Sequence, residues 1–167
     1  SSHRRAIDAN PRNLTAYTNL TSSFVHADQL DEAVDCGRRA VALVKEDQLG
    51  QRDVALSLLA LATALAEKAE LEAAIDCLVE AASLQPQDAM IHWTLALTYL
   101  RAGRMAQGWR EYEWRWEKKD FTTPKQNFTQ PLWDGGDLNG RNILLHAEQG
   151  LGDTIQFIRY APLVHRR

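Results

Sequence analysis

The feature that most constrains this chain is self-similarity at a fixed period. Sliding the stretch that begins Ala55-Leu-Ser-Leu-Leu onto the one that begins Ala89-Met-Ile-His-Trp, an offset of 34 residues, brings Leu61 onto Leu95, Ala62 onto Ala96, Leu65 onto Tyr99 and Leu71 onto Met105. Such a period marks a repeat architecture, in which no unit buries its apolar face alone. Within each unit the order of elements follows from the spacing. Leu58, Leu61, Ala62 and Leu65 keep the i, i+3, i+4, i+7 pattern of one helix face. A polar break at Glu67 to Glu70 follows, then a second apolar set of Ala74, Leu78, Ala81, Ala82 and Leu84, closed by Pro86, which ends a helix. The unit is helix, turn, helix.

Residues 14 to 47 fit the same template through Tyr17, Leu20, Phe24, Leu30, Ala33, Ala40, Val41 and Leu43, with Lys45 where the later unit has Pro86. Ala6, Ile7, Ala9 and Pro11 stand where Ala81, Ala82, Leu84 and Pro86 stand, so the chain is expected to begin inside the second helix of an upstream repeat. The expected organisation is a partial repeat at 1–13, repeats at 14–47, 55–88 and 89–120, a connector at 121–140 and a separate segment at 141–167. Seven residues, Gln48 to Val54, intervene between the first two full units.

Composition narrows the function classes. The chain has 167 residues, 45% hydrophobic and 25% charged, with 19 Lys+Arg against 22 Asp+Glu. A formal net charge of -3 builds in no general attraction to nucleic acid, so no nucleic-acid partner is expected. The longest nearly apolar stretch, Ala55 to Ala66, is bounded by Asp53 and Glu67 and falls short of the roughly 20 residues a membrane span needs. Ser-Ser-His-Arg-Arg at the start carries no apolar signal region, and two cysteines make no disulfide framework; a cytoplasmic location is expected.

Residues 1 to 120 resemble the tetratricopeptide repeat family, whose 34-residue units carry large, small and aromatic residues at set positions of the first helix and small residues on the second. The large position here holds Tyr17, Leu58 and His92, and the small one Thr21, Ala62 and Ala96. The implied fold class is all-α: a tetratricopeptide-type helix-turn-helix solenoid, here with a short C-terminal strand-loop-helix tail. Ala33, Ala74 and Gly108 are expected to let paired helices cross closely. Cys36 and Cys77 occupy the same slot of successive units, about one helix spacing of roughly 8 to 10 Å apart, too far for a disulfide.

By the same resemblance the first helices line a concave groove that binds a peptide or a partner protein. The candidate lining is Asn19, Ser22 and His26 in the first unit, Leu59 and Thr63 in the second, and Trp93, Leu97 and Arg101 in the third, with Leu56 and Met90 at the neighbouring positions. Only Arg101 carries a positive charge there, which disfavours a carboxylate-binding clamp. Trp93 has two readings, a peptide anchor or packing between units. His26 and His92 have no partners at metal-ligand spacing, so no metal and no cofactor is expected.

The third unit changes character. Trp109, Tyr112 and Trp116 form an aromatic stripe on its second helix, and Arg110 and Arg115 are offset by Glu111, Glu113 and Glu117, which argues for packing over nucleic-acid stacking. Phe121 to Gly140, with two prolines and three glycines, is loop chemistry. Asn142 to Ala147 reads as a short strand, followed by a glycine loop at Gly150 and Gly152 and an amphipathic helix. This tail, together with the run from Pro131 to Arg141, resembles bacterial proteins in which tetratricopeptide repeats precede a glycosyltransferase-like, heptosyltransferase-type domain. The resemblance implies Asp153 as general base, and a sugar nucleotide as cofactor, only in a full-length enzyme; helix N-capping is the alternative role for Asp153. The 167 residues themselves are expected to be a scaffold without transferase activity. A homodimer, through the C-terminal tail or the exposed repeat ends, is the expected oligomer.

Overall fold

The computed structural model describes residues 5, 7, 9–148 and 150–166. The chain divides into two units, Ser1–Lys118 and Lys119–Arg167.

The first unit is a succession of paired helices: α1 (Leu14–His26) and α2 (Leu30–Glu46), α3 (Gln51–Glu67) and α4 (Leu71–Leu84), α5 (Ala89–Arg101) and α6 (Met105–Tyr112). Each helix packs on the next in the chain, and α1, α3 and α5 also contact one another in turn, which is the connectivity of a helical solenoid. Ahead of α1, Arg5, Ile7 and Ala9 are helical and Ile7 packs against the core; Ala6 lies outside the described residues.

The core is the sum of the helix faces read from the repeat. Leu20 and Phe24 of α1, Leu58, Leu61, Ala62 and Leu65 of α3, Ala74 and Leu78 of α4, and Ile91, Leu95 and Tyr99 of α5 are buried in one cluster. Asn13 caps α1 by accepting from the Ala16 N–H, and Asp88 caps α5 by accepting from the Met90 and Ile91 N–H groups. Helix α3 begins at Gln51, so four of the residues between the first two templates extend it by one turn.

Each helix pair turns through the same device. The N–H groups of Gln29, Glu70 and Arg104 donate to the carbonyls of Phe24, Leu65 and Tyr99, each at 2.9 Å. The residue before each donor takes a positive φ: Asp28 at 57°, Ala69 at 65° and Gly103 at 75°. This is the Schellman closure, in which a left-handed residue lets the chain reverse onto the last carbonyls of the helix. Only the third turn uses the residue type that adopts this conformation without strain.

Close crossings rest on small residues. Ala33 and Ala74 are fully buried, and a Cβ on Gly108 would stand 2.7 Å from side-chain carbons of Leu100. Gly37, absent from the sequence template, is tighter still against backbone, for its Cβ would meet the Leu61 Cα at 2.9 Å.

The second helix of the third unit departs from the single aromatic helix expected. It turns into a 3-10 segment at Glu113–Glu117, and Trp109 is 57% exposed. In the second unit the expected strand at Asn142 to Ala147 is corrected. No strand occurs among the described residues, because a strand requires a neighbour to take its N–H and C=O groups. The expected amphipathic helix is α7 (Leu151–Phe157), a 3-10 turn at Ile158–Tyr160 and α8 (Ala161–His165). No described residue of this unit is buried. No helix among the described residues is long and apolar enough to cross a membrane.

Candidate functional site

The first helices turn one stripe inward and leave the opposite stripe to form a shared face. On α3 the inward residues are Leu58, Leu61, Ala62 and Leu65, while Leu56 stays 42% exposed and Leu59 and Thr63 are half-buried. On α5 the inward residues are Ile91, Leu95 and Tyr99, while Met90 and Leu97 stay 45% and 39% exposed and Trp93 is half-buried. The two faces are in register, since Arg101 at the end of α5 donates to Glu67 at the end of α3 at 3.0 Å. On α1, Asn19, Ser22 and His26 are exposed.

The polar side chains of this face are largely turned back onto their own helices. Thr63 donates to the Leu59 carbonyl at 2.9 Å, Thr94 to Met90 at 2.8 Å and Ser22 to Thr18 at 3.4 Å, and the His26 Nδ1 lies 2.7 Å from the Ser22 carbonyl. Arg101, the one cation among the candidate lining residues, is paired with Glu67. The side chains of α3 and α5 on this face are therefore mostly apolar, with an ion pair at one end, and one cation from outside these helices, Lys118, lies over Trp93.

Trp93 is engaged within its own unit. Its ring lies 4.9 Å from that of Tyr112, tilted by 40°, and the Lys118 Nζ sits 4.8 Å over it. Trp93 is thus half-buried and in contact with Tyr112 and Lys118 within its own unit. Beside it stands a cluster that no local pattern announces. The His92 Nδ1 lies 2.6 Å from Glu111 Oε2, its Nε2 lies 3.2 Å from the Pro86 carbonyl, and its ring stacks on Trp114 at 4.1 Å and 8°. Arg115, 7% exposed, donates to the Tyr112 carbonyl and to Glu113 and lies over the rings of Tyr112 and Trp116. These contacts tie α5 to α6 and hold the end of the first unit.

Ion pairs link neighbouring units: Lys68 to Asp31 at 2.9 Å, Arg104 to Glu72, and Arg12 to Asp47. The hydrogen bond from Lys68 lowers the Asp31 carboxyl below its usual range, and the same bond raises the Lys68 ammonium. Burial pushes the Cys77 thiol up, with Glu80 and Asp76 adding to it. Neither Cys36 nor Cys77 is in a disulfide.

The glycine loop and Asp153 stand apart, in the second unit. Gly150 takes φ 61° at the start of α7, and a Cβ there would lie 2.9 Å from Asp153 Oδ2; Gly152 faces open space. Asp153 is exposed in the first turn of α7. No bond to a second acid or base is described for it, and the α7 start has no side-chain cap bond. Among the described residues no cluster of His, Cys, Asp and Glu could hold a metal ion.

No family model matches the chain. It is 36% identical over 98 residues to protein FlbA of Caulobacter vibrioides, a match covering 56% of this chain and 16% of FlbA. The chain therefore spans about one sixth of the length of that relative. Among solved structures, a crystal structure of MamA superimposes with a TM-score of 0.55 at 22% identity, covering 67% of this chain and 61% of that one. A MamA RS-1 double mutant gives 0.55 at 17% identity, covering 71% and 65%. At this identity the likeness concerns the fold, which is an all-helical, tetratricopeptide-type solenoid.

Proposed function

We propose that the chain is a protein-interaction scaffold, with the shared face of α1, α3 and α5 as the surface that receives a peptide or partner protein. The observation that carries this reading is the exposure of Leu56, Met90 and Leu97 side by side on two helices in register, where a solvated helix face would carry charge. Asn19, Ser22 and His26 extend the face as a polar end, while Leu59, Thr63, Trp93 and Arg101 form its floor and its charged margin.

A photo-crosslinking residue placed at Met90 tests the reading in cells that make the protein. Capture of defined partners is expected, and it is expected to fall when Leu97 is changed to Glu. Capture that is indifferent to Leu97→Glu would refute the face as the binding surface.

The other reading, the recruiting part of a glycosyltransferase, gains nothing from the geometry of Asp153, which is an exposed carboxylate in the first turn of α7. For the chain itself we propose no transferase activity.

A further inference from the structure

The aromatic stripe of α6 stands where the two earlier helix pairs stack on their successors, a surface distinct from the face of α1, α3 and α5. The 34-residue offset, with the seven extra residues allowed between the first two repeats, sets Val34 of α2, Ile75 of α4 and Trp109 of α6 at one place in the repeat. Val34 and Ile75 are 2% and 3% exposed and belong to the core cluster, whereas Trp109 is 57% exposed. Four residues before Trp109, Met105 holds the place of the half-buried Leu30 and Leu71 and is 53% exposed. Gly37, one turn on from Val34, shows where this stripe points, for it runs against the Leu61 Cα of the next helix pair. Among the described residues of the first unit no helix pair follows α6. A place covered twice inside the solenoid is thus left open the third time.

The open place has the make-up of an interface anchor. Trp109 packs edge-on against Tyr112 at 5.4 Å and 73°, and Tyr112 packs on Trp93, so the exposed ring stands on an aromatic base. The cover used twice within the solenoid is a helix of this repeat type, and a second copy of the chain brings one carrying the same stripe. Met105 and Trp109 are uncharged, and the exposed side chains beside them, Arg110 and Glu113, have opposite signs, which a two-fold axis can set against each other. A two-fold contact also covers both open stripes at once, while a head-to-tail contact leaves one open at the end of every assembly. We propose that α6 is the contact of a homodimer, in which the Met105 and Trp109 ridge of one copy packs on that of a second.

One helix offers an area at the low end of specific interfaces, below about 1,200 Å², so the dimer is expected to dissociate on dilution. Sedimentation velocity on the whole chain should show the mass rising from one to two chain masses between about 1 and 100 μM and stopping there. Trp109→Glu and Met105→Glu, both on exposed side chains, should each raise the dissociation constant at least about tenfold, with the melting temperature of the dilute protein unchanged. Where Trp109→Glu lowers that temperature, Met105→Glu carries the test. Leu97→Glu, on the other face, should leave the dissociation constant as it is. A monomer across the whole range, a dimer indifferent to both α6 variants, one abolished by Leu97→Glu instead, or assemblies that keep growing past two chains overturn the proposal.

Discussion

Replacing Gly37 by Ala isolates one contact on which the stacking of the first two units depends. The added methyl would meet the Leu61 Cα at 2.9 Å and the Leu61 Cβ and Cδ1 at 3.1 Å. A side chain could rotate away, but a Cα moves only if α2 and α3 separate along their whole contact. Overpacking of this kind costs about 1–3 kcal/mol, and a backbone obstacle places Gly37→Ala toward the upper end. Ala recovers up to about 1 kcal/mol over Gly in a helix interior. The net expectation is a loss of about 2 kcal/mol, a fall of roughly 5–10 °C in Tm for a unit of this size. Urea and thermal unfolding followed by helical circular dichroism give both quantities. Gly108→Ala should cost less, because the nearest obstacles there, Leu100 Cγ and Cδ2, belong to a movable side chain. Gly152→Ala, facing open space on α7, should cost nothing. A Gly37→Ala variant as stable as the parent, or more so, would refute the close crossing and leave helix propensity as the larger effect.

Other perturbations address other parts of the solenoid. Ala69→Gly should stabilise by about 0.5–1 kcal/mol, since it relieves the φ of 65° in the second turn, less the greater entropy Gly loses on folding; a destabilised variant would contradict the turn geometry. His92→Ala should cost about 2 kcal/mol and weaken the near-UV signal of the tryptophans, because it leaves Glu111 without its 2.6 Å bond and Trp114 without its stacked ring; an unchanged near-UV spectrum would rule this role out. In a Cys36→Ser background, alkylation of Cys77 should keep accelerating above the ordinary thiol range near about pH 8.5, as its raised pKa delays the thiolate. The sign for stability follows: the neutral thiol's contribution is complete below that range and is lost as pH rises through the raised value, and an alkylation rate already level by about pH 8.5 would contradict it.

What could be read from the chain alone was whatever repeats locally. The 34-residue offset and the i, i+3, i+4, i+7 spacing identify Leu58, Leu61 and Leu65 of α3 and Leu95 and Tyr99 of α5 as interior, because burial must follow the 3.6-residue turn of a helix; Ile91, which the offset sets against Ser57, joins the same core only in the structure. The groove positions of Leu56, Leu97 and Arg101 came instead from the resemblance to tetratricopeptide repeats, and all three are exposed.

Tertiary structure decided what depends on neighbours remote in sequence. The Asn142 to Ala147 run has strand composition, yet with no partner strand among the described residues it forms no ladder, since pairing lies outside the segment itself. The pairing of His92 with Glu111, the neutralisation of Arg101 by Glu67 and the contact of Gly37 with Leu61 each join different helices. Helix periodicity sets the direction in which a side chain leaves its own axis. Which atom it then meets is set by the crossing of two axes, and that crossing is a property of the packed solenoid.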